Sequence, residues 1–69
     1  MNLDDVKSLI RQNLGRSVVV RVYGLRNKKQ VYYGTISAVY PNIFILNADG
    51  ENKSFSYADV ITKEVVIEF

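Results

Sequence analysis

The sequence predicts a mainly β domain in which one N-terminal helix is followed by five short strands. Apolar residues recur at helical spacing before Gly15, whereas after Ser17 they alternate with polar residues as in half-buried strands. Turn-forming residues then divide the remaining chain at short intervals. A chain of 69 residues has room for one domain, so we assign residues 1–69 to a single domain, with the helix in 1–15 and the strands in 16–69.

The first segment has the pattern of an amphipathic helix. Its apolar stripe consists of Leu3, Val6, Leu9, Ile10 and Leu14. Asn2 is the expected N-cap because its side chain can accept a hydrogen bond from the first turn, and Gly15 is a left-handed stop. A helix this short is marginal alone, so we expect its stripe to cover one end of the β structure.

The remaining chain is predicted as strands separated by turns. The first strand follows Ser17, and the second runs from about residue 30 to residue 40, with Gly34 as its bend or bulge. The third covers residues 43–46, and Asp49-Gly50 is a strong hairpin signal before a fourth strand near residues 53–57. A last strand alternates over residues 65–69.

This layout is that of a small five-stranded SH3-like (Sm-like) barrel with an N-terminal capping helix. Closure of the sheet into a barrel hides strand edges that an open meander would expose. Six strand residues are expected to be mostly buried: Val20, Val22, Ile36, Phe44, Leu46 and Ile67.

Composition argues against an enzyme. The chain has no cysteine and no histidine, so the commonest nucleophile, general base and soft metal ligands are missing. The neighbouring carboxylates Asp4 and Asp5 fall in the first turn of the predicted helix, where the helix dipole explains them. We therefore expect no catalytic residue, no metal site and no cofactor.

Charge is distributed unevenly along the chain. Residues 1–33 carry a net charge of +5 and residues 34–69 a net charge of −3. The basic half contains a cluster of cationic and aromatic side chains that we take as the candidate binding site for nucleic acid or a partner: Arg21, Tyr23, Arg26, Lys28, Lys29, Tyr32 and Tyr33. Such a set can neutralise phosphates and stack on unpaired bases. The alternative is a solvated hairpin tip with half-buried strand tyrosines.

Two corners are weaker candidates. Tyr40-Pro41 and Tyr57-Ala58-Asp59 could form a surface notch, but we favour a structural role for both. Proline fixes a turn, and Asp59 is able to cap a corner by accepting backbone N–H bonds.

Several blocks of sequence together resemble one known family. They are Gly34-Thr35-Ile36, Tyr40-Pro41-Asn42-Ile43-Phe44-Ile45 and Ser54-Phe55-Ser56-Tyr57-Ala58-Asp59-Val60-Ile61-Thr62, with Asn13-Leu14-Gly15-Arg16 and Gly24-Leu25-Arg26-Asn27-Lys28 upstream. In these blocks the chain resembles the Veg family of small bacterial biofilm-formation stimulators. The resemblance implies an intracellular regulatory protein with an SH3-like barrel, and it implies no particular biochemical activity.

These observations favour a non-enzymatic cytoplasmic regulatory protein that binds a protein partner. Nucleic acid is the alternative ligand, and self-assembly through the apolar last strand is a third possibility. A membrane span is not expected, because the uncharged stretch from Gln30 to Ala48 is better explained by two strands and a turn.

Overall fold

The computed structural model describes residues 2–24 and 29–69. Its elements are α1 (Leu3–Gln12), β1 (Ser17–Tyr23), β2 (Lys29–Val39), β3 (Ile43–Ala48), β4 (Glu51–Ser56), α2 (Tyr57–Ile61) and β5 (Val65–Glu68). The five strands form one antiparallel sheet in the order β4-β3-β2-β1-β5. The mainly β fold with an N-terminal helix is therefore confirmed.

The two ends of that strand order are the edges of the sheet. Across the described ranges, β4 and β5 each pair with one neighbouring strand and not with each other. Closure of the sheet into a barrel by hydrogen bonds thus stays a prediction.

The core lies between α1, α2 and one face of the sheet. Of the six residues expected to be mostly buried, four are fully so: Val20, Ile36, Phe44 and Leu46. Val22 and Ile67 are only half-buried, although both pack against this core. The expectation was too strong for Ile67 because β5 lies at an edge of the sheet, and for Val22 because it lies near the end of β1, opposite the exposed Gln30 of β2.

Helix α1 covers the core through a narrower stripe than the sequence predicts. Only Val6 and Ile10, one turn apart, are fully buried, while Leu9 is half-buried and Leu3 and Leu14 are exposed. Leu14 lies beyond the last helical residue, which explains its exposure. The predicted N-cap is confirmed, because Asn2 Oδ1 accepts the backbone N–H of Asp5 at 2.9 Å. Gly15 is left-handed as predicted, with a φ of +83°, but the helix ends earlier, at Gln12 with Asn13 as its C-cap.

The irregularity in β2 lies at Ser37 and not at the predicted Gly34. Ile36 pairs with Leu46 and Ala38 with Ile45, so Ser37 is an extra residue in the ladder. Gly34 serves another purpose, because a Cβ built there would lie 2.3 Å from the carbonyl oxygen of Asn47. Glycine is required at this position by the close approach of β3 to β2.

Candidate functional site

The side of the sheet opposite the core carries most of the predicted site. Val18 and Val20 are buried, so the alternate residues of β1 point away from the core. Directly paired residues share a face, which defines the side that we call the outer face. Its members are Val19, Arg21 and Tyr23 of β1, Lys29, Val31 and Tyr33 of β2, and Val66 and Glu68 of β5.

An ion pair crosses the middle of the outer face. The Arg21 guanidinium donates a hydrogen bond to the Glu68 carboxylate, joining β1 to β5. Val66 stands directly opposite Arg21, and Val19 directly opposite Glu68. An exposed pair of this kind contributes only about 0–1 kcal/mol to stability. Its main effect is to hold the Arg21 side chain across β5.

Aromatic side chains are prominent on the same face. Tyr33 is 70% exposed, and Tyr23 and Val31 are also exposed. The Lys29 ammonium lies 5.8 Å from the centre of the Tyr23 ring, within the range of a cation–π contact. At the opposite end of β1, an open groove of about 520 Å³ is lined by Ser17, Val19, Tyr33, Thr35, Glu68 and Phe69.

The predicted site residues do not all lie together. Arg21, Tyr23, Lys29 and Tyr33 share the outer face, whereas Tyr32 points to the core side because it pairs with buried Val20. Arg26 and Lys28 lie outside the described residues.

Tyr32 belongs to a separate cluster on the core side. Its ring lies 6.0 Å from that of Phe55, and the Lys53 ammonium stands 5.0 Å from its centre. The Tyr32 hydroxyl is engaged with the side chain of Gln30, and Lys53 also approaches the Glu51 carboxylate at 3.6 Å. Tyr32 therefore packs against β4 and is not part of the aromatic surface that Tyr33 presents.

The second candidate corner is structural. Tyr57 is completely buried, its ring stacks on Phe44 at 5.9 Å, and its hydroxyl donates a 2.7 Å hydrogen bond to the carbonyl of Tyr40. Burial raises the pKa of the Tyr57 phenol, an effect that the nearby Arg11 charge partly offsets. The helix cap comes from Ser56, whose hydroxyl accepts the N–H of Ala58 at 3.1 Å, and not from the expected Asp59.

The family comparison agrees with the resemblance seen in the sequence. A family model described as "Biofilm formation stimulator VEG" matches residues 1–68 of the 69-residue chain. The chain belongs to the VEG family. The regulatory role in biofilm formation is thereby supported for this VEG member through its family. No curated protein matches the chain.

Four members of the outer face of this VEG protein were missed by sequence reasoning: Val19, Val31, Val66 and Glu68. Val31 follows from strand alternation with Tyr33, a signal that the sequence carries. Val66 and Glu68 join the face only through the β1–β5 ladder, which brings the Glu68 carboxylate within hydrogen-bond reach of Arg21, 47 positions earlier in the chain.

The described part of the chain shows no grouping of acidic side chains suited to a metal ion. Among the helices of residues 2–24 and 29–69, none is long and apolar enough to cross a membrane.

Proposed function

We propose that this VEG family member acts by binding a protein partner through its outer face, without catalysing a reaction. The observation that carries the proposal is the exposure of Tyr33, Val31 and Tyr23 along one face of the sheet, with Val31 in the row between the two tyrosines. Contiguous apolar and aromatic residues on the surface of a small protein mark interaction sites more often than isolated ones do. The absence of histidine and cysteine supports a binding role over a catalytic one.

The composition of the outer face is that of a protein interface. Tyrosine and arginine are enriched in such interfaces and dominate their binding energy, because both offer a large contact area with a polar group. Tyr33 stands directly opposite the half-buried Val19, so an apolar patch forms around it. Arg21 is already held in place by Glu68 and would lose little side-chain freedom on binding.

The charge of the face indicates what the partner presents. Lys29 adds a cation beside Tyr23 at one end, whereas Glu68 is paired with Arg21. The matching surface of the partner is therefore apolar at its centre, opposite Tyr33, and acidic near Lys29.

Affinity capture tests this proposal. Tagged protein is incubated with a nuclease-treated extract of the native host, and the bound proteins are quantified against a Tyr33→Ala variant. We expect the same protein to be captured after nuclease treatment and to be reduced about tenfold or more by Tyr33→Ala, the effect of losing about 1.4 kcal/mol or more at an aromatic hot spot. The control is Tyr40→Ala, which also removes an exposed tyrosine but lies beyond β2, off the outer face. Equal capture by Tyr33→Ala and wild type would refute the proposal.

Nucleic acid is the second candidate, and the Lys29–Tyr23 contact on the same face as the exposed Tyr33 favours it. Cations next to exposed aromatic rings are the means by which small β domains bind single strands. The double substitution Lys28→Glu and Lys29→Glu should then sharply weaken binding to single-stranded oligonucleotides. Each lost phosphate contact should also flatten the log–log salt dependence by about 0.7. We expect at most weak, sequence-independent binding by the wild type; no binding at low salt would exclude this function.

A further inference from the structure

The two edges of the sheet differ in character. The β4 edge, Glu51–Ser56, is rich in charged and polar side chains, which is how proteins commonly prevent an edge from pairing. The β5 edge reads Val65-Val66-Ile67-Glu68 and contains no proline, no bulge and one charge. Within the described chain, β5 is therefore the edge without the features that prevent pairing with another strand.

The backbone of β5 offers the hydrogen-bonding groups for this. The Tyr23 N–H donates to the Glu64 carbonyl at 2.8 Å, which fixes the phase of the β1–β5 ladder. Bonded pairs alternate in an antiparallel ladder, so Val66 and Glu68 direct their N–H and C=O groups to β1. Val65 and Ile67 direct theirs to the opposite side, where no strand of the described residues lies.

An apolar groove runs along this same edge. Its volume is about 420 Å³, and it is enclosed by α1, α2 and β5, with Leu9, Ile61, Val65, Ile67 and Phe69 among its lining residues. Ile61 is 39% exposed and Phe69 is 53% exposed. A strand added to β5 would thus gain hydrogen bonds and also cover apolar surface that the chain leaves in water.

We propose that the occupant of this edge is β5 of a second copy of the chain, paired antiparallel about a two-fold axis through Ile67. Residues directly opposite each other in an antiparallel pair lie on the same face of the sheet. The axis must therefore pass at a residue that pairs with itself in the other copy, because an axis between two residues would pair a core-side residue with an outer-face residue. An axis at Val66 would set Glu64 of one copy against Glu68 of the other, and like charges directly opposite are destabilising. An axis at Val65 would require residues 61–64 to be extended, but Ile61 ends α2 and Lys63 has a φ of +67°.

The register about Ile67 is self-complementary. It places Val65 of each copy opposite Phe69 of the other, so that each exposed Phe69 approaches the groove beside the other copy's α2. On the outer side, Glu68 of each copy lies opposite Val66 of the other, in the same row as the other copy's Arg21. The joined edge then contains Arg21 and Glu68 of both copies, so its two positive and two negative charges balance.

Disulfide trapping tests the register. The native chain has no cysteine, so introduced thiols report without interference. Val66 of one copy and Glu68 of the other form a non-hydrogen-bonded pair, whose Cα atoms lie about 4.5 Å apart, suitable for a disulfide. A mixture of the Val66→Cys and Glu68→Cys variants should therefore give mixed disulfide dimers under mild oxidation. Each variant alone should not, because two residues 66, or two residues 68, lie diagonally at about 7–8 Å. Cross-linking of either variant alone at the rate of the mixture would overturn the proposal.

Sedimentation tests the association itself. Wild type should show a concentration-dependent monomer–dimer equilibrium, and Ile61→Lys should weaken dimerisation about 100-fold, because a tenfold loss is repeated at both symmetric sites. The control is Ile43→Lys, which alters the same residue type at a similar exposure of 36% on β3, away from the β5 edge. A wild type that stays monomeric up to about 1 mM would overturn the proposal. So would a dimer that Ile61→Lys leaves unchanged.

Discussion

The buried hydroxyl of Tyr57 allows one packing prediction to be worked out closely. Tyr57→Phe removes a single oxygen from a side chain with 0% exposure and deletes its 2.7 Å hydrogen bond to the Tyr40 carbonyl. The ring stays stacked on Phe44, so no large cavity opens. A net intramolecular hydrogen bond contributes about 1 kcal/mol. We therefore expect the free energy of unfolding to fall by about 1 kcal/mol, which lowers Tm by about 4–8 °C in a domain of this size.

Urea and thermal melts followed by circular dichroism measure this loss. Tyr33→Phe is the matched control, because it removes the same hydroxyl from a side chain that is 70% exposed, and its effect should stay within about 0.5 kcal/mol. If Tyr57→Phe is as stable as Tyr33→Phe, the hydroxyl does not tie α2 to the end of β2, and the structural role given to this corner is wrong.

Three further predictions concern stability. Gly34→Ala should lower the free energy of unfolding by about 3 kcal/mol, because the added Cβ would overlap the Asn47 carbonyl. Gly50→Ala should lower it by only about 1 kcal/mol, because there is open space around Gly50 and only its φ of +80° is unfavourable for alanine. Denaturant unfolding of the two variants measures the difference. Ile10→Ala should lower the free energy of unfolding by about 3 kcal/mol, and Leu9→Ala clearly less, because Leu9 is only half-buried. Equal losses in urea melts would contradict the assigned orientation of α1. The raised pKa of Tyr57 means that the folded state holds the phenol proton more tightly than the unfolded state, whose pKa is near 10.0. The stability contributed by Tyr57 is therefore complete below pH 10 and declines above it. The advantage of wild type over Tyr57→Phe should shrink in melts at increasing alkaline pH, and an advantage that grows would contradict the assigned burial.

Features that depend on neighbouring residues were predictable from the sequence. The Asn2 cap and the left-handed Gly15 involve contacts within one or two turns, and both were assigned correctly. The extra residue at Ser37 was not, because a bulge is defined by the register of β2 against β3. A turn signal such as glycine marks a special backbone position without saying whether it is a bulge or a close approach.

The same limit applies to the candidate site. Alternation shows that Tyr32 and Tyr33 must lie on opposite faces, but the choice of face depends on pairing with Val20 and Val19. The partnership of Arg21 with Glu68 requires β5 to pair with β1 across most of the chain. A predicted cluster drawn from adjacent positions therefore mixed two faces of one sheet.

Complementation of biofilm formation tests the central proposal, that the outer face carries the function, most directly. A strain lacking the endogenous gene would express wild type, Tyr33→Ala or the control Tyr40→Ala, with equal protein levels and intact folding verified by immunoblot and melts. Both tyrosines are exposed, so neither change should alter stability by more than about 0.5 kcal/mol. We expect biofilm mass to be restored by wild type and Tyr40→Ala and to stay near that of the deletion strain with Tyr33→Ala. Full restoration by a folded, normally expressed Tyr33→Ala protein would contradict the proposal.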